Sequence, residues 1–228
     1  MKTCVLIPAY NCSASIGNLV LKIKSMGLDA VVVDDGSRDS TGDIARREGA
    51  TVIEHKTNEG KGLSMRDGFG YILDKTPCDT VITMDGDGQH DPGEIKKFLK
   101  KAAAGTEGMI VGNRMGSSRS MPFLRYLTNR FMSFLLSVLC GQRIEDSQCG
   151  FRLIKRACLQ SIKIDSKYYD VESEMLVRAS RKSFRIASIP VKAIYKGEVS
   201  RINPLLDTVR FMGLLARLYL GRKANDGV

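Results

Sequence analysis

Residues 80–95, TVITMDGDGQHDPGEI, run from an apolar, β-branched segment straight into three aspartates, a glutamine and a histidine within seven positions. A buried strand that ends in so much negative charge must deliver it to something. Outward from this stretch the same grammar repeats: short β-branched runs at CVLIP (4–8), AVVVDD (30–35), TVIEH (51–55), TVITMD (80–85) and GMIVGN (108–113) alternate with amphipathic segments. The amphipathic segments are Ile16 to Ser25, Gly42 to Glu48, Gly62 to Leu73 and Pro92 to Ala104. Asp91 is placed to cap the last of these, with Pro92 in its first turn. Such alternation predicts an α/β fold, a mostly parallel sheet flanked by helices, in which ligands sit beyond the carboxyl ends of the strands. PAYN, DDGSRDST, NEGKG, DGDGQHD and NR each follow one of the five strands, so the polar loops are expected to converge on one edge.

The second half is built differently. Residues 122–141 read as a helix, apolar in its second half, DSQCGFRLI (146–154) as a loop feeding a strand, and 168–183 as a helix with acids first and bases last. One or two strands are expected over 184–195 and a last amphipathic helix over 203–223. In that helix Asp207, Arg210 and Arg217 form a narrow polar stripe, which suits either an anionic lipid surface or docking on protein.

Charge divides the same way. The chain carries a net +10, but residues 1–112 hold 14 basic and 16 acidic side chains, a balance of −2, while 113–228 hold 21 and 9, a balance of +12. A basic half meets anionic lipid, a phosphorylated substrate or nucleic acid, or is simply a solvated surface. No zinc finger, RNA-recognition signature or aromatic-interleaved basic groove supports nucleic acid. Six scattered cysteines without a CxxC pair, and only two histidines, His55 and His90, indicate neither a zinc site nor a disulfide framework, so reduced thiols in a cytoplasmic protein are expected. The N-terminal apolar run is too brief for a signal peptide, and the longest one, 131–141, falls far short of the roughly 20 residues that span a bilayer.

Asp85 and Asp87, one residue apart at a strand end, repel unless a cation joins them, and hard oxygen ligands suit Mg²⁺ or Mn²⁺. Gln89 adds a neutral oxygen, and Gly86 and Gly88 clear space for a phosphate. An ion there would neutralise the diphosphate of a nucleotide-linked substrate as it leaves. The same stretch could also be a solvated Asp-Gly turn. DDGS could likewise be a turn and helix cap, or Asp34 or Asp35 could accept from ribose hydroxyls or a base edge. NEGKG lacks the P-loop spacing, though Lys61 could reach a phosphate; His90 is a possible ligand or an exposed loop residue.

VLIPAYN, VVVDDGSRDST, NEGKG, VITMDGDGQHDP, GNR and CGFRLI, in this order and spacing, resemble family 2 glycosyltransferases with the nucleotide-diphospho-sugar transferase (GT-A) fold. DGDGQH followed by GNR and GFR is most similar to the dolichyl-phosphate mannosyltransferase branch and its polyprenyl-phosphate relatives. The resemblance covers roughly residues 3–202. It implies a glycosyltransferase domain over 1–202, with a nucleotide-sugar part (1–112) and an acceptor part (113–202), followed by a helix and tail (203–228). It further implies nucleoside contacts from Pro8, Tyr10, Asp34 and Asp35, and donor diphosphate and metal contacts from Asp85, Gly86 and Asp87, with Gln89 on the metal. Arg114 and one of Arg125 or Arg130 would hold the acceptor phosphate, and Arg201 the donor phosphates.

The implied reaction is inverting transfer of mannose or glucose from GDP-mannose or UDP-glucose to a polyprenyl phosphate. A protein working at the cytoplasmic membrane face, peripherally or through a small membrane-anchor subunit, is expected. Two alternatives stand beside it: a saccharide hydroxyl as acceptor, for which Asp146 is the nominated base, and an inactive nucleotide-sugar-binding subunit. The pattern departs from its relatives at Cys12, where they commonly carry an acid, and at Gly93, which moves the usual glutamate to Glu94.

Overall fold

A computed structural model describes residues 1–116, 123–192, 194 and 213, without the side chains of 123–125. Seven strands are joined into one sheet: β1 (Thr3–Ala9), β2 (Asp29–Asp34), β3 (Thr51–Glu54), β4 (Thr80–Thr83), β5 (Met109–Asn113), β6 (Arg152–Lys155) and β7 (Ile186–Pro190). Their order is β3-β2-β1-β4-β6-β5-β7. All neighbouring pairs are parallel except those made by β6, which runs antiparallel to both β4 and β5. Among the described residues the sheet is flanked by the helices α1 (Ser13–Ser25), α2 (Thr41–Arg47), α3 (Lys61–Lys75), α4 (Ile95–Ala104), α5 (Phe123–Cys140), α6 (Arg156–Ser161) and α7 (Val171–Arg181).

The strands form where β-branched residues are buried on both faces. Val5, Leu6 and Ile7 of β1 and Val32 and Val33 of β2 are wholly sealed, each such side chain contributing about 1.5–3 kcal/mol of burial. The Asp91 carboxylate accepts from Gly93 N (3.0 Å), so the expected cap is present, though Pro92–Glu94 form a 3-10 turn before α4 begins. The short helix α6 has no counterpart among the expected segments.

The insertion of β6 positions the site. Arg152 sits opposite both Thr83 of β4 and Val111 of β5, so the loop that enters β6, residues 146–151, arrives at the edge where β4 and β5 end. Thr83 Oγ1 donates to Gly150 O (2.7 Å) and secures it there. Five strand-end loops and this sixth segment therefore share one edge.

The cysteines differ from expectation. Cys4 of β1 and Cys78, just before β4, form a disulfide with Cα atoms 6.1 Å apart. The two strands are parallel neighbours, which brings together residues 74 positions apart; no local spacing announces such a pair. Cys12, Cys140, Cys149 and Cys158 are free, and burial pushes the thiols of Cys149 and Cys158 up to about 11 and 12. The expected helix over 203–223 lies outside the described residues. Among the described residues no helix is long and apolar enough to cross a membrane.

Candidate active site

The first three loops are laced together by backbone donors. Asn11 takes a positive φ of 51°, its N donates to Ser37 Oγ (2.9 Å), and its Oδ1 accepts from Arg38 N (2.8 Å), tying PAYN to DDGSR. Pro8 and Tyr10 lie half-buried beside this junction. Asp34 and Asp35, expected as a pair, divide. Asp34 Oδ1 accepts from Ser37 N (3.0 Å), and the residue lines a cleft of about 190 Å³ together with Asp39, Asp43, Glu54 and His55. Asp35 turns inward: its oxygens accept from His55 Nδ1 (2.8 Å), Glu59 N (2.9 Å) and Gly60 N (2.9 Å). Its carboxylate thus holds the NEGKG loop in place. His55 Nε2 lies 3.2 Å from Asp67 Oδ2 without the alignment of a hydrogen bond.

NEGKG needs its glycines for close approach. Gly60 has φ 101°, and a Cβ on it would meet the Tyr168 ring at 2.9 Å. The loop can therefore lie against residues 166–168, where Gly62 N donates to Lys167 O (2.9 Å), and this sends the Lys61 side chain to the acidic loop. Lys61 Nζ lies 2.5 Å from Asp85 Oδ1 and 2.5 Å from Glu172 Oε1, with the Tyr169 ring centroid at 5.9 Å. Burial would lower the pKa of Lys61, but the two carboxylates outweigh it and hold the ammonium above its ordinary value.

Asp85 is saturated. Lys61 occupies Oδ1, His90 Nε2 donates to Oδ2 (3.1 Å), and a Cβ on Gly150 would fall 2.7 Å from that oxygen, so only glycine fits there. Burial would raise the pKa of Asp85, yet the charge of Lys61 and the bond from His90 hold it well below the carboxylate range. Asp87 is shifted oppositely, up, by burial and by the charge of Asp85. Its Oδ1 accepts from Gln89 N (2.9 Å), which places Gln89 beside it.

Asp85, Asp87 and the Gln89 amide are hard oxygen donors of the sort that hold Mg²⁺ or Mn²⁺ jointly with substrate phosphates. Among the described residues no three His, Cys, Asp or Glu side chains are placed to enclose an ion unaided. The donor set fits an ion whose shell a diphosphate completes, and the positive charge that Asp85 requires is supplied by Lys61. His90 proves to be a buried partner of Asp85, packed 5.1 Å from the Phe151 ring. Glu172 carried no signal in the sequence beyond being an acid at a helix start, because only the fold of α7 against the NEGKG loop brings it to Lys61.

On the other flank Arg114 and Asp146 form a bidentate pair. Arg114 Nε donates to Asp146 Oδ2 (2.8 Å) and Nη2 to Oδ1 (3.0 Å), while Arg114 N and Gln148 N also donate to the same carboxylate. Asp146 is 0% exposed, and although burial would raise its pKa, Arg114 holds it below the ordinary value. A base must be free to take a proton. Asp146, nominated as the base for a hydroxyl acceptor, is held in this structure by Arg114 and two backbone donors and orients the guanidinium.

Arg152, the arginine of GFR, is wholly buried and donates to the carbonyls of Ser147 (2.8 Å), Cys149 (2.8 Å) and Glu172 (2.6 Å), joining the 146–150 loop to the start of α7. Arg130 lies exposed on α5 and donates to Tyr126 Oη one turn back (3.1 Å). The Arg125 side chain and Arg201 lie outside the described residues.

A family model described as Glycosyl transferase family 2 matches residues 4–163. The chain is 28% identical over 214 residues to the UDP-N-acetylglucosamine–dolichyl-phosphate N-acetylglucosaminyltransferase of Methanococcus voltae, spanning 84% of this chain and 85% of that protein. It is 28% identical over 237 residues to the polyprenol monophosphomannose synthase of Mycolicibacterium smegmatis, spanning 95% of this chain and 89% of that one. Among solved structures, glucosyl-3-phosphoglycerate synthase from Mycobacterium tuberculosis, crystallised with Mn²⁺, UDP and phosphoglyceric acid, superposes with a TM-score of 0.73 at 20% identity. That likeness covers 97% of this chain and 78% of the other, and speaks to the fold alone.

Proposed function

The chain belongs to glycosyl transferase family 2, a glycosyltransferase with the GT-A fold, and from that premise we propose that it transfers a hexose from a nucleotide-diphosphate sugar to a polyprenyl phosphate. The observation that carries this reading is the pairing, on one sheet edge, of an acidic loop neutralised by Lys61 with a guanidinium locked in place by Asp146. Two phosphorylated substrates need such a surface: hard oxygens and a cation for the leaving diphosphate, and a fixed guanidinium charge for the attacking phosphate. The names of the two relatives, both pairing a sugar with a polyprenyl-type lipid, support the acceptor class.

The nucleoside lies against PAYN and Asp34, where an acidic cleft favours N–H and O–H donors and repels phosphate. Asp85, Asp87 and Gln89 would hold a divalent ion, Mg²⁺ or Mn²⁺, and that ion would supply charge neutralisation for the departing diphosphate. Arg114, oriented by Asp146, sets the acceptor phosphate in line with the anomeric carbon. A phosphate monoester, with a second pKa near 6, is already a dianion at neutral pH, so positioning replaces a general base. The new bond joins phosphate oxygen to the anomeric carbon, the bond to the diphosphate oxygen breaks, and configuration inverts.

A peripheral position at the cytoplasmic membrane face suits a lipid acceptor. Its support is a stripe on α5 of Leu127, Phe131, Phe134 and Val138, each more than half exposed and spaced for one helical face. The test is incubation with Mn²⁺ or Mg²⁺, a polyprenyl phosphate in detergent, and labelled GDP-mannose, UDP-glucose or UDP-N-acetylglucosamine in parallel, counting label in the organic phase. Ion-dependent label with one donor is expected, and its loss in Asp87→Asn. Donor binding without label in any arm would overturn the acceptor assignment.

A further inference from the structure

Lys61 is the buried ammonium that bridges two carboxylates, Asp85 and Glu172, with only 14% of its side chain exposed. One of those carboxylates is the proposed ligand for the divalent ion. The other, Glu172, has a side chain 6% exposed, and its second oxygen, Oε2, is buried without a hydrogen-bond partner. A buried carboxylate with an unused oxygen is costly unless a cation lies close by, and the ammonium of Lys61 has three donors that can turn on its stem.

We propose that Lys61 is an internal counter-cation that stands in for the divalent ion at Asp85 in the unloaded enzyme, and that Glu172 is the positioning residue that retains it when the ion arrives. The proposal rests on the reading of Asp85 as a metal ligand and deepens it. Ion and lysine compete for one carboxylate, so the ion alone binds weakly. A donor diphosphate changes the balance, because it gives Lys61 a new anionic partner while Glu172 keeps the ammonium near the site. Ion and nucleotide diphosphate therefore load together, each raising the affinity for the other by the same factor. An unloaded site that rejects free divalent ions also keeps the carboxylates compensated in the absence of substrate.

The experiment titrates the full chain with Mn²⁺, following the free-ion signal by electron paramagnetic resonance, with and without GDP or UDP. In the wild-type protein the nucleotide diphosphate should tighten Mn²⁺ about tenfold or more. Lys61→Met should bind Mn²⁺ alone about tenfold tighter than wild type and lose most of the gain from nucleotide. Glu172→Gln, of equal shape, should shift Mn²⁺ affinity the opposite way, since Lys61 is then left with Asp85 alone. Lys167→Met removes an exposed charge from the same neighbourhood and should change Mn²⁺ affinity less than about twofold.

Equal tightening in Lys61→Met and Lys167→Met would reduce the effect to net charge and overturn the proposal, as would unchanged Mn²⁺ affinity in Lys61→Met. If Lys61→Met does not fold, Glu172→Gln decides alone: weaker Mn²⁺ supports the exchange and equal or tighter Mn²⁺ refutes it. A wild-type protein that binds no nucleotide diphosphate with any ion would instead sink the donor-site reading beneath the proposal.

Discussion

Arg114–Asp146 and Lys61–Asp85–Glu172 are both buried cation–carboxylate groupings on the same sheet edge, yet they are built to opposite ends. In the first, a planar fork meets a carboxylate that is 0% exposed and also receives two backbone donors, so nothing of that carboxylate is left for a competing cation. In the second, a point charge is divided between two carboxylates, one of them, Asp85, 29% exposed. Burial opposes ionisation of both Asp85 and Asp146, and a neighbouring cation reverses it in each. Saturation of the geometry, and not the presence of an ion pair, separates a fixed frame from an exchangeable contact.

The contrast can be broken most directly at Asp146. Asp146→Asn strands the Arg114 charge in a buried site and should cost about 3–5 kcal/mol in urea unfolding; a loss below about 1 kcal/mol would mean the pair is no frame. Asp85→Asn should cost far less, about 1 kcal/mol, because Lys61 keeps Glu172, while donor binding with Mn²⁺ is lost. An equal stability loss in the two variants would erase the distinction.

Acidification sharpens it. The folded pKa of Asp146 is depressed, so its contribution is complete above the unfolded carboxylate value and disappears only as pH falls through the lower folded value. The stability difference between wild type and Asp146→Asn should accordingly stay constant from pH 7 to pH 5. Asp87 is raised by burial and by Asp85, so its charged form opposes folding, and protonation as the pH falls relieves that strain while removing the negative charge proposed to hold the ion. Mn²⁺ affinity should therefore fall over a range in which the Asp146 contribution does not. The smallest effect belongs to Arg130→Ala, exposed and bonded only locally to Tyr126, which should change stability by less than about 0.5 kcal/mol. Its transfer rate with polyprenyl phosphate then tests whether Arg130 serves the acceptor.

Periodicity and the polar ends of the strands foretold β1 to β5, the convergence of their loops and the flanking helices, because strand burial and strand–helix alternation are written in consecutive residues. The antiparallel entry of β6 between β4 and β5 had no such mark: RLI reads as a strand in either direction, and its neighbours lie some 40 to 70 positions away. Asp34 and Asp35 look equivalent in DDGS, yet they face a cleft and a loop respectively, since successive residues leaving a strand point to opposite sides.

Chemistry that depends on residue type and short spacing was therefore present in the chain from the start: the carboxylates of DGDGQ, the glycines that let loops close on them, the excess of bases after residue 112. Chemistry that depends on partners was settled by folding. Cys4 meets Cys78, Asp146 grips Arg114, and Glu172 comes to share Lys61 with Asp85 only when distant segments pack side by side. A side chain's identity fixes what it can donate or accept, whereas its burial and its neighbours decide whether that capacity is spent inside the protein or kept for a ligand.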